Sequence, residues 1–168
     1  MASQTPSSGS KSPAVLPSIS WLASLIKEDR ALLSSYGEII EFKPNEVFIN
    51  EGEEQPYLYF VIEGMVSVYR LQDGSTSVLA VLGPGEAVGE IAMMLEGKAS
   101  ASVAAMEKTQ MWRIRHSKMQ EFIEKNPKIG ARLLLALLGS VAQRLTSMNA
   151  DLALLLSPDS VKKLFLAD

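Results

Sequence analysis

Residues 57–82 read YLYFVIEGMVSVYRLQDGSTSVLAVL. Three runs rich in β-branched and aromatic residues, 57–62, 65–71 and 75–82, are separated by Gly64 and by Asp73-Gly74. Runs of this length and composition, bounded by turn residues, predict β-strands. Asp73-Gly74 predicts a two-residue hairpin, because both central positions of that turn need positive φ. The same composition extends outward on both sides, in EIIEF (38–42), EVFIN (46–50), ASVAAM (101–106) and MWRIR (111–115). Asn45, Gly52 and Gly83-Pro84-Gly85 punctuate these runs. Roughly eight short strands at such spacing predict a sandwich or a jelly roll.

Helical patterns flank the β region. Trp21, Leu22, Leu25 and Ile26, followed by Leu32, Leu33 and Tyr36, predict two short helices that stop at Gly37. Beyond the strands, Ser117 and Gln120 form a capping box ahead of Glu121-Phe122-Ile123. Asn126-Pro127 closes that helix and opens the next, with Asn as cap and Pro at the first helical position. The last helix is expected over 127–156, ended by Ser157-Pro158. Leu134, Leu138, Val141, Leu145, Met148, Leu152 and Leu155 follow one another by four and three residues, a heptad seam. Ile129, Leu133 and Leu137 form a second apolar face for packing on the β region. A helix with two apolar faces needs two partners, so the seam predicts a homodimer. The fold class is therefore mainly β: an eight-stranded jelly roll with short N-terminal helices and a long C-terminal helix. The organisation expected is a Ser/Pro-rich disordered tail (1–18), the roll (19–126), a dimerisation helix (127–156) and a short extension (157–168).

Composition narrows the function. Of 168 residues, 47% are hydrophobic and the net charge is −3, which disfavours a direct nucleic-acid surface. There is no cysteine, so disulfides, thiolate metal sites and cysteine nucleophiles are excluded and a cytoplasmic location is expected. No apolar run reaches the roughly 18 residues expected of a membrane span. One histidine, His116, is too few for a jelly-roll metalloenzyme and is read as a surface residue. No enzyme, metal or cofactor is expected.

Three motifs together carry a resemblance to the cyclic-nucleotide-binding domain, most of all to the sensor half of catabolite-activator (Crp/Fnr-type) regulators. FKPNEVFINEGEE (42–54) resembles that family's F-x-P-G-E-x-I-x-x-x-G-E, with Asn45 in place of a glycine. YFVIEGMVSVY (59–69) resembles its strand–glycine–strand unit. GPGEAVGEIAMM (83–94) resembles its phosphate-binding cassette: Gly85, Gly89 and Glu90 match, while Glu86 and Val88 depart. The resemblance spans about residues 20–156.

It implies a cradle of Gly89, Glu90, Ile91, Ala92, Ala99, Ser100 and Ala101 for cyclic AMP, cyclic GMP or another small ligand. Gly89 would let backbone approach the ligand, and the amides of Ile91 and Ala92 would face its anionic group. Glu90 would accept from a ribose hydroxyl or make local contacts at its helix start. The family's phosphate-binding arginine falls ten residues after the glycine, and that position is Ala99. Val103 and Trp112 fix the register on the far side, so the arginine is absent rather than displaced. Lys98 points away if the loop is extended and swings in as a point charge, with weaker geometry than arginine, if the loop is reshaped; without the arginine, Glu90 adds negative charge beside an anion. Met93 and Met94 read as packing. On the last helix, Met148 and Asn149 fall where the family approaches the base, and Asn149 is equally a solvent-facing residue. The chain ends where a DNA-binding domain would begin in those regulators. The expected function is a non-enzymatic sensor with weak or altered cyclic-nucleotide binding, or a ligand-free dimerising or protein-binding scaffold.

Overall fold

The computed structural model describes residues 15–72, 74–95 and 97–155. A 3-10 turn (Ser20–Ser24) and helix α1 (Lys27–Ser34) precede strands β1 (Glu38–Phe42), β2 (Val47–Ile49), β3 (Tyr57–Glu63), β4 (Val66–Gln72), β5 (Ser75–Leu82) and β6 (Ala87–Val88). Helix α2 (Glu90–Leu95), strands β7 (Ser102–Ala105) and β8 (Thr109–Arg115), helix α3 (His116–Lys125) and helix α4 (Pro127–Leu155) complete the order. The strands form two four-stranded sheets, ordered β1-β8-β3-β6 and β2-β7-β4-β5, with antiparallel pairings throughout. This is the jelly roll expected. Strand β6 escapes a reading of the sequence because two residues are too short to show alternation; Tyr59 pairs with Val88 and Phe60 with Ala87.

The continuous apolar run in β3 has a simple cause: both of its faces are covered. Leu58 and Phe60 join Trp112, Ile114, Leu22, Leu25, Leu33, Phe122, Leu133 and Leu137 in a core between sheet and helices. Tyr59 and Val61 join Ile40, Phe42, Val66, Leu82, Val103 and Met111 in a second core between the sheets. Leu16, inside the stretch read as tail, is buried in the first core, and its carbonyl accepts from Arg30 Nε at 3.0 Å. Residues 1–14 and 156–168 lie outside the described residues, as do Asp73 and the Trp21 side chain.

Several local expectations hold and others are corrected. Gln72 pairs with Ser75, leaving two residues for the hairpin, and Gly74 has φ +80°. Asn45 takes the left-handed conformation expected of it, at φ +64°. Gly37 is not a left-handed helix stop. It is glycine because a Cβ there would lie 2.3 Å from the Arg113 carbonyl and 2.5 Å from the Trp112 ring. The capping box at Ser117 does not form. The His116 N–H donates to the Pro56 carbonyl at 2.9 Å, α3 starts at His116, and Ser117 falls inside its first turn. Asn126 closes α3 by donating from Nδ2 to Phe122 at 3.0 Å, rather than capping α4 with its side chain.

Helix α4 buries Leu133 and Leu137 in the first core, with Ile129 packed beside them, as the second apolar face requires. Leu138 and Leu145 of the seam are 57% and 58% exposed. Leu134 and Met148 are also exposed, whereas the side chains of Leu152 and Leu155 lie outside the described residues. Contrary to the apolar-run estimate, Pro127–Ala150 is long and apolar enough to cross a membrane by length and composition alone. Its packing on the roll accounts for part of that apolar character.

Replacing Gly37 by alanine forces a methyl against Trp112. Gly37→Ala is expected to lower stability by about 1–3 kcal/mol in urea unfolding; an unchanged midpoint would show that the tryptophan pocket yields freely.

Candidate functional site

The site is built where β6 turns into α2. Gly89 stands at φ +94°, and a Cβ on it would approach the Tyr57 carbonyl oxygen to 2.4 Å. Only glycine allows this close crossing of backbones, so Gly89 is required by the fold as well as by any ligand. The Met93 N–H then donates to the Gly89 carbonyl at 3.2 Å, closing the first turn of α2.

The opposite wall is the segment 97–101. Ala99 N–H donates to the Glu53 carbonyl at 2.8 Å, Gly52 N–H donates to the Ala99 carbonyl at 2.9 Å, and the backbones of Lys98 and Glu54 pair as an isolated antiparallel β-bridge. Arg70 clamps the segment from β4, donating from Nε and Nη2 to the Ser100 carbonyl at 2.9 and 2.7 Å. Its Nε also lies 3.2 Å from Glu51 Oε1. Between the walls lies a small pocket, about 50 Å³ in cavity volume and open to solvent. Gly89, Glu90, Ile91, Ala92, Ala99, Ser100 and Ala101 all line it, joined by Ile49, Gln55, Val68, Val88, Val103 and Arg144. Asn149 is exposed on α4 and does not line it.

The sequence reading missed the guanidinium that does enter this pocket. Arg144 reaches from α4, donating from Nη1 to Glu90 Oε1 at 2.7 Å and from Nη2 to the Ala87 carbonyl at 2.9 Å. Glu90 is only 3% exposed. Neither expected role of Glu90 describes this: it is the buried partner of a cation supplied 54 residues later in the chain. The added negative charge expected from Glu90 is thereby offset. The available signal was the single charged residue in the helical stretch LLLALLGSVAQRLTSMNA (133–150). A charge there needs a partner or water.

The other basic residues near the gap do not line the pocket. Lys98 is exposed and does not line the pocket. Arg113 pairs with Glu38 Oε1 through Nε at 2.9 Å and Nη2 at 2.7 Å. Arg113 and Arg115 both lie over the Tyr57 ring, at 4.4 and 4.8 Å from its centroid. Tyr59, whose hydroxyl interacts with Arg113 and lies towards Gln55, titrates above its ordinary range, chiefly because it is buried.

His116 is not the surface residue expected. It is half-buried, with its ring against the backbone of Tyr57 and Gly89. Burial holds its pKa below 6.5, and the contacts with those two backbones oppose the shift. Among the described residues no group of three or more His, Cys, Asp or Glu side chains could hold a metal ion.

Two outcomes follow from these contacts. Arg144→Met leaves a buried carboxylate without its cation, and a loss of about 3–5 kcal/mol is expected in denaturant unfolding, most of it restored by adding Glu90→Leu. A loss that Glu90→Leu deepens instead would show that the pair does not act as a unit. Because the folded state disfavours protonated His116, its contribution to stability is present above the ordinary histidine pKa and is lost as pH falls below it. Unfolding free energy should drop between about pH 7 and pH 5, with a smaller drop in His116→Gln. Equal drops in the two proteins would contradict this.

The pocket, the roll and the final helix can now be set beside known proteins. The description "Cyclic nucleotide-binding domain" matches residues 39–126, just over half of the chain. The cyclic AMP receptor protein of Thermus thermophilus is 33% identical over 132 residues, covering 78% of this chain and 59% of that protein. The chain thus spans about half to three fifths of the length of the curated relatives it matches first. The structure of the Thermus thermophilus catabolite activator protein superposes with a TM-score of 0.68 at 28% identity, over 82% of this chain and 63% of that one. A regulatory subunit of a cAMP-independent protein kinase A from Trypanosoma brucei superposes with a TM-score of 0.59 at 25% identity, over 71% and 44%. The chain belongs to the cyclic nucleotide-binding domain family.

Proposed function

We propose that the chain is a regulatory sensor module. Its cradle binds a cyclic nucleotide weakly, or takes another small ligand suited to a less basic pocket, and reports occupancy through α4. One observation carries this reading: Arg144 lies on α4 yet spends two of its donors inside the cradle, on Glu90 and Ala87. A ligand that competes for either partner changes what holds the helix.

The weakness follows from Ala99. In this family the residue at that position supplies a guanidinium to the cyclic phosphate, and a methyl group supplies nothing. Losing one partner of a buried charge pair costs about 3–5 kcal/mol, or roughly 10²–10³ in affinity or more. Arg144 only partly compensates, since its charge is already met by Glu90. The exposed Leu138, Leu145 and Met148 support the pairing of α4 with a second copy. A second reading, a ligand-free dimerising or protein-binding scaffold, is favoured by Ala99 itself and by the cAMP-independent relative, in which the same fold serves a regulatory subunit.

Cyclic AMP and cyclic GMP titrations followed by backbone amide shifts separate the readings. Ala99→Arg should tighten binding by about a hundredfold or more, with shifts at Gly89, Ile91 and Ala92 in both proteins. Binding in the variant alone would favour the scaffold; equal affinities would refute the role given to Ala99. For the dimer, Leu138→Lys with Leu145→Lys should halve the mass in sedimentation equilibrium, and an unaltered mass would exclude the seam as the interface.

A further inference from the structure

One wall of the pocket carries a polar group that neither the family motif nor the ion pair uses. Gln55 lies between β2 and β3 in a segment fixed at both ends. Ala99 N–H donates to the Glu53 carbonyl at 2.8 Å, and His116 N–H donates to the Pro56 carbonyl at 2.9 Å. Its side chain is only 7% exposed. Gln55 Oε1 accepts the Tyr57 N–H at 3.4 Å, which fixes the oxygen end of the amide. Nε2, a donor with two hydrogens, makes no hydrogen bond within bonding distance, and the Tyr59 hydroxyl that it faces can take only one of the two. The Nε of Arg144, across the same pocket, is likewise buried and unpartnered. Buried donors are nearly always satisfied, so a pair of unsatisfied ones lining a single pocket calls for an acceptor that enters it.

Position matters as much as chemistry. Glu53 is the hydrogen-bonded neighbour of Ala99, and residue 55 follows two places on and turns its side chain inwards. Gln55 and Ala99 line the same pocket, and the methyl group at position 99 fills little of it. We propose that Gln55 Nε2, with Arg144 Nε, donates to the anionic oxygens of a cyclic nucleotide bound in the cradle, a neutral substitute for the guanidinium missing at position 99. This rests on the reading of the cradle as a cyclic-nucleotide site. It gives that site a specific signature: the phosphate is held by an amide and not by a free cation, and a neutral donor is roughly half as strong as a charged one.

The test uses cyclic AMP with isotope-labelled full chain, observing the Gln55 side-chain amide signals alongside backbone amides. Gln55→Glu keeps the acceptor for Tyr57 N–H but removes both donors; Gln55→Met removes both functions. The proposal expects the Gln55 side-chain pair to shift together with Gly89 and Ala92. Gln55→Met should raise Kd about three- to tenfold, and Gln55→Glu by more than tenfold through repulsion of the phosphate. Should Gln55→Met fail to fold, the wild-type side-chain signals and Gln55→Glu decide. If Gly89 and Ala92 shift while the Gln55 pair stays still and Kd is unchanged in the variants, Gln55 only props its loop; the cradle reading survives and this inference falls. If neither Gly89 nor Ala92 moves up to about 10 mM cyclic AMP, weaker than any useful affinity, the cradle reading falls and takes Gln55 with it.

Discussion

The ion pair between Arg144 and Glu90 is the interaction on which the rest of the site depends. It joins the first residue of α2 to the middle of α4 across 2.7 Å, in a place where Glu90 is almost wholly removed from water. A carboxylate in that position is costly unless a cation and hydrogen bonds meet it. Arg144 meets that need and also takes the Ala87 carbonyl, so the turn around Gly89 is fixed from two directions. The backbone crossing of Gly89 over Tyr57, the loop carrying Ala99 and the position of α4 are then parts of one arrangement. Leu133 and Leu137 hold the first half of α4 through apolar packing, whereas its second half reaches the roll through this polar contact. Polar contacts of that sort can be exchanged for a ligand, and apolar packing cannot. On the function proposed, that difference makes the second half of the helix the reporter.

The electrostatics of the cradle set its character. In a pocket with a free guanidinium, an anion gains a charge-assisted bond and neutralises a cation at once. Here the entering guanidinium is already paired with Glu90, and the side-chain donors of Gln55 and Arg144 that make no hydrogen bond stand beside the backbone amides of α2. Such a site favours acceptor-rich ligands but gives them less. The family's architecture is retained through residues that the fold itself needs, Gly89 first among them. Position 99, where the resemblance implies an arginine for the ligand, keeps its backbone pairing with Glu53 and Gly52 but carries only a methyl group.

Much of this was legible in the chain, for reasons that can be stated. The strands were visible because β3, β4 and β5 are bounded by residues that tolerate positive φ, and Asn45 and Gly74 do adopt it. The packing face of α4 was visible because Ile129, Leu133 and Leu137 repeat at helical spacing. Seven of the eight residues expected at the site come together, because the cassette is contiguous and its ends are set by strands. What stayed hidden was contact at long range. Arg144 meets Glu90 only after the whole roll has closed, and Gln55 and Ala99, 44 residues apart in the chain, meet at one pocket only in the folded roll. His116 was misread because a lone histidine at a strand end gives no sign of the backbone that will bury it. Gly37 was misread because its constraint is the Trp112 ring, supplied by β8.

The central claim is that occupancy of the cradle is transmitted to the second half of α4. The absence of cysteine makes a direct distance measurement clean, since labels can be placed at will. Spin labels at Ser77→Cys on β5 and Ser147→Cys on α4, diluted with unlabelled chain, report the separation of roll and helix by pulsed dipolar spectroscopy. Cyclic AMP at a concentration that saturates the Gly89 and Ala92 amide shifts should move or broaden that distance distribution. An unchanged distribution with the cradle demonstrably occupied would contradict the account.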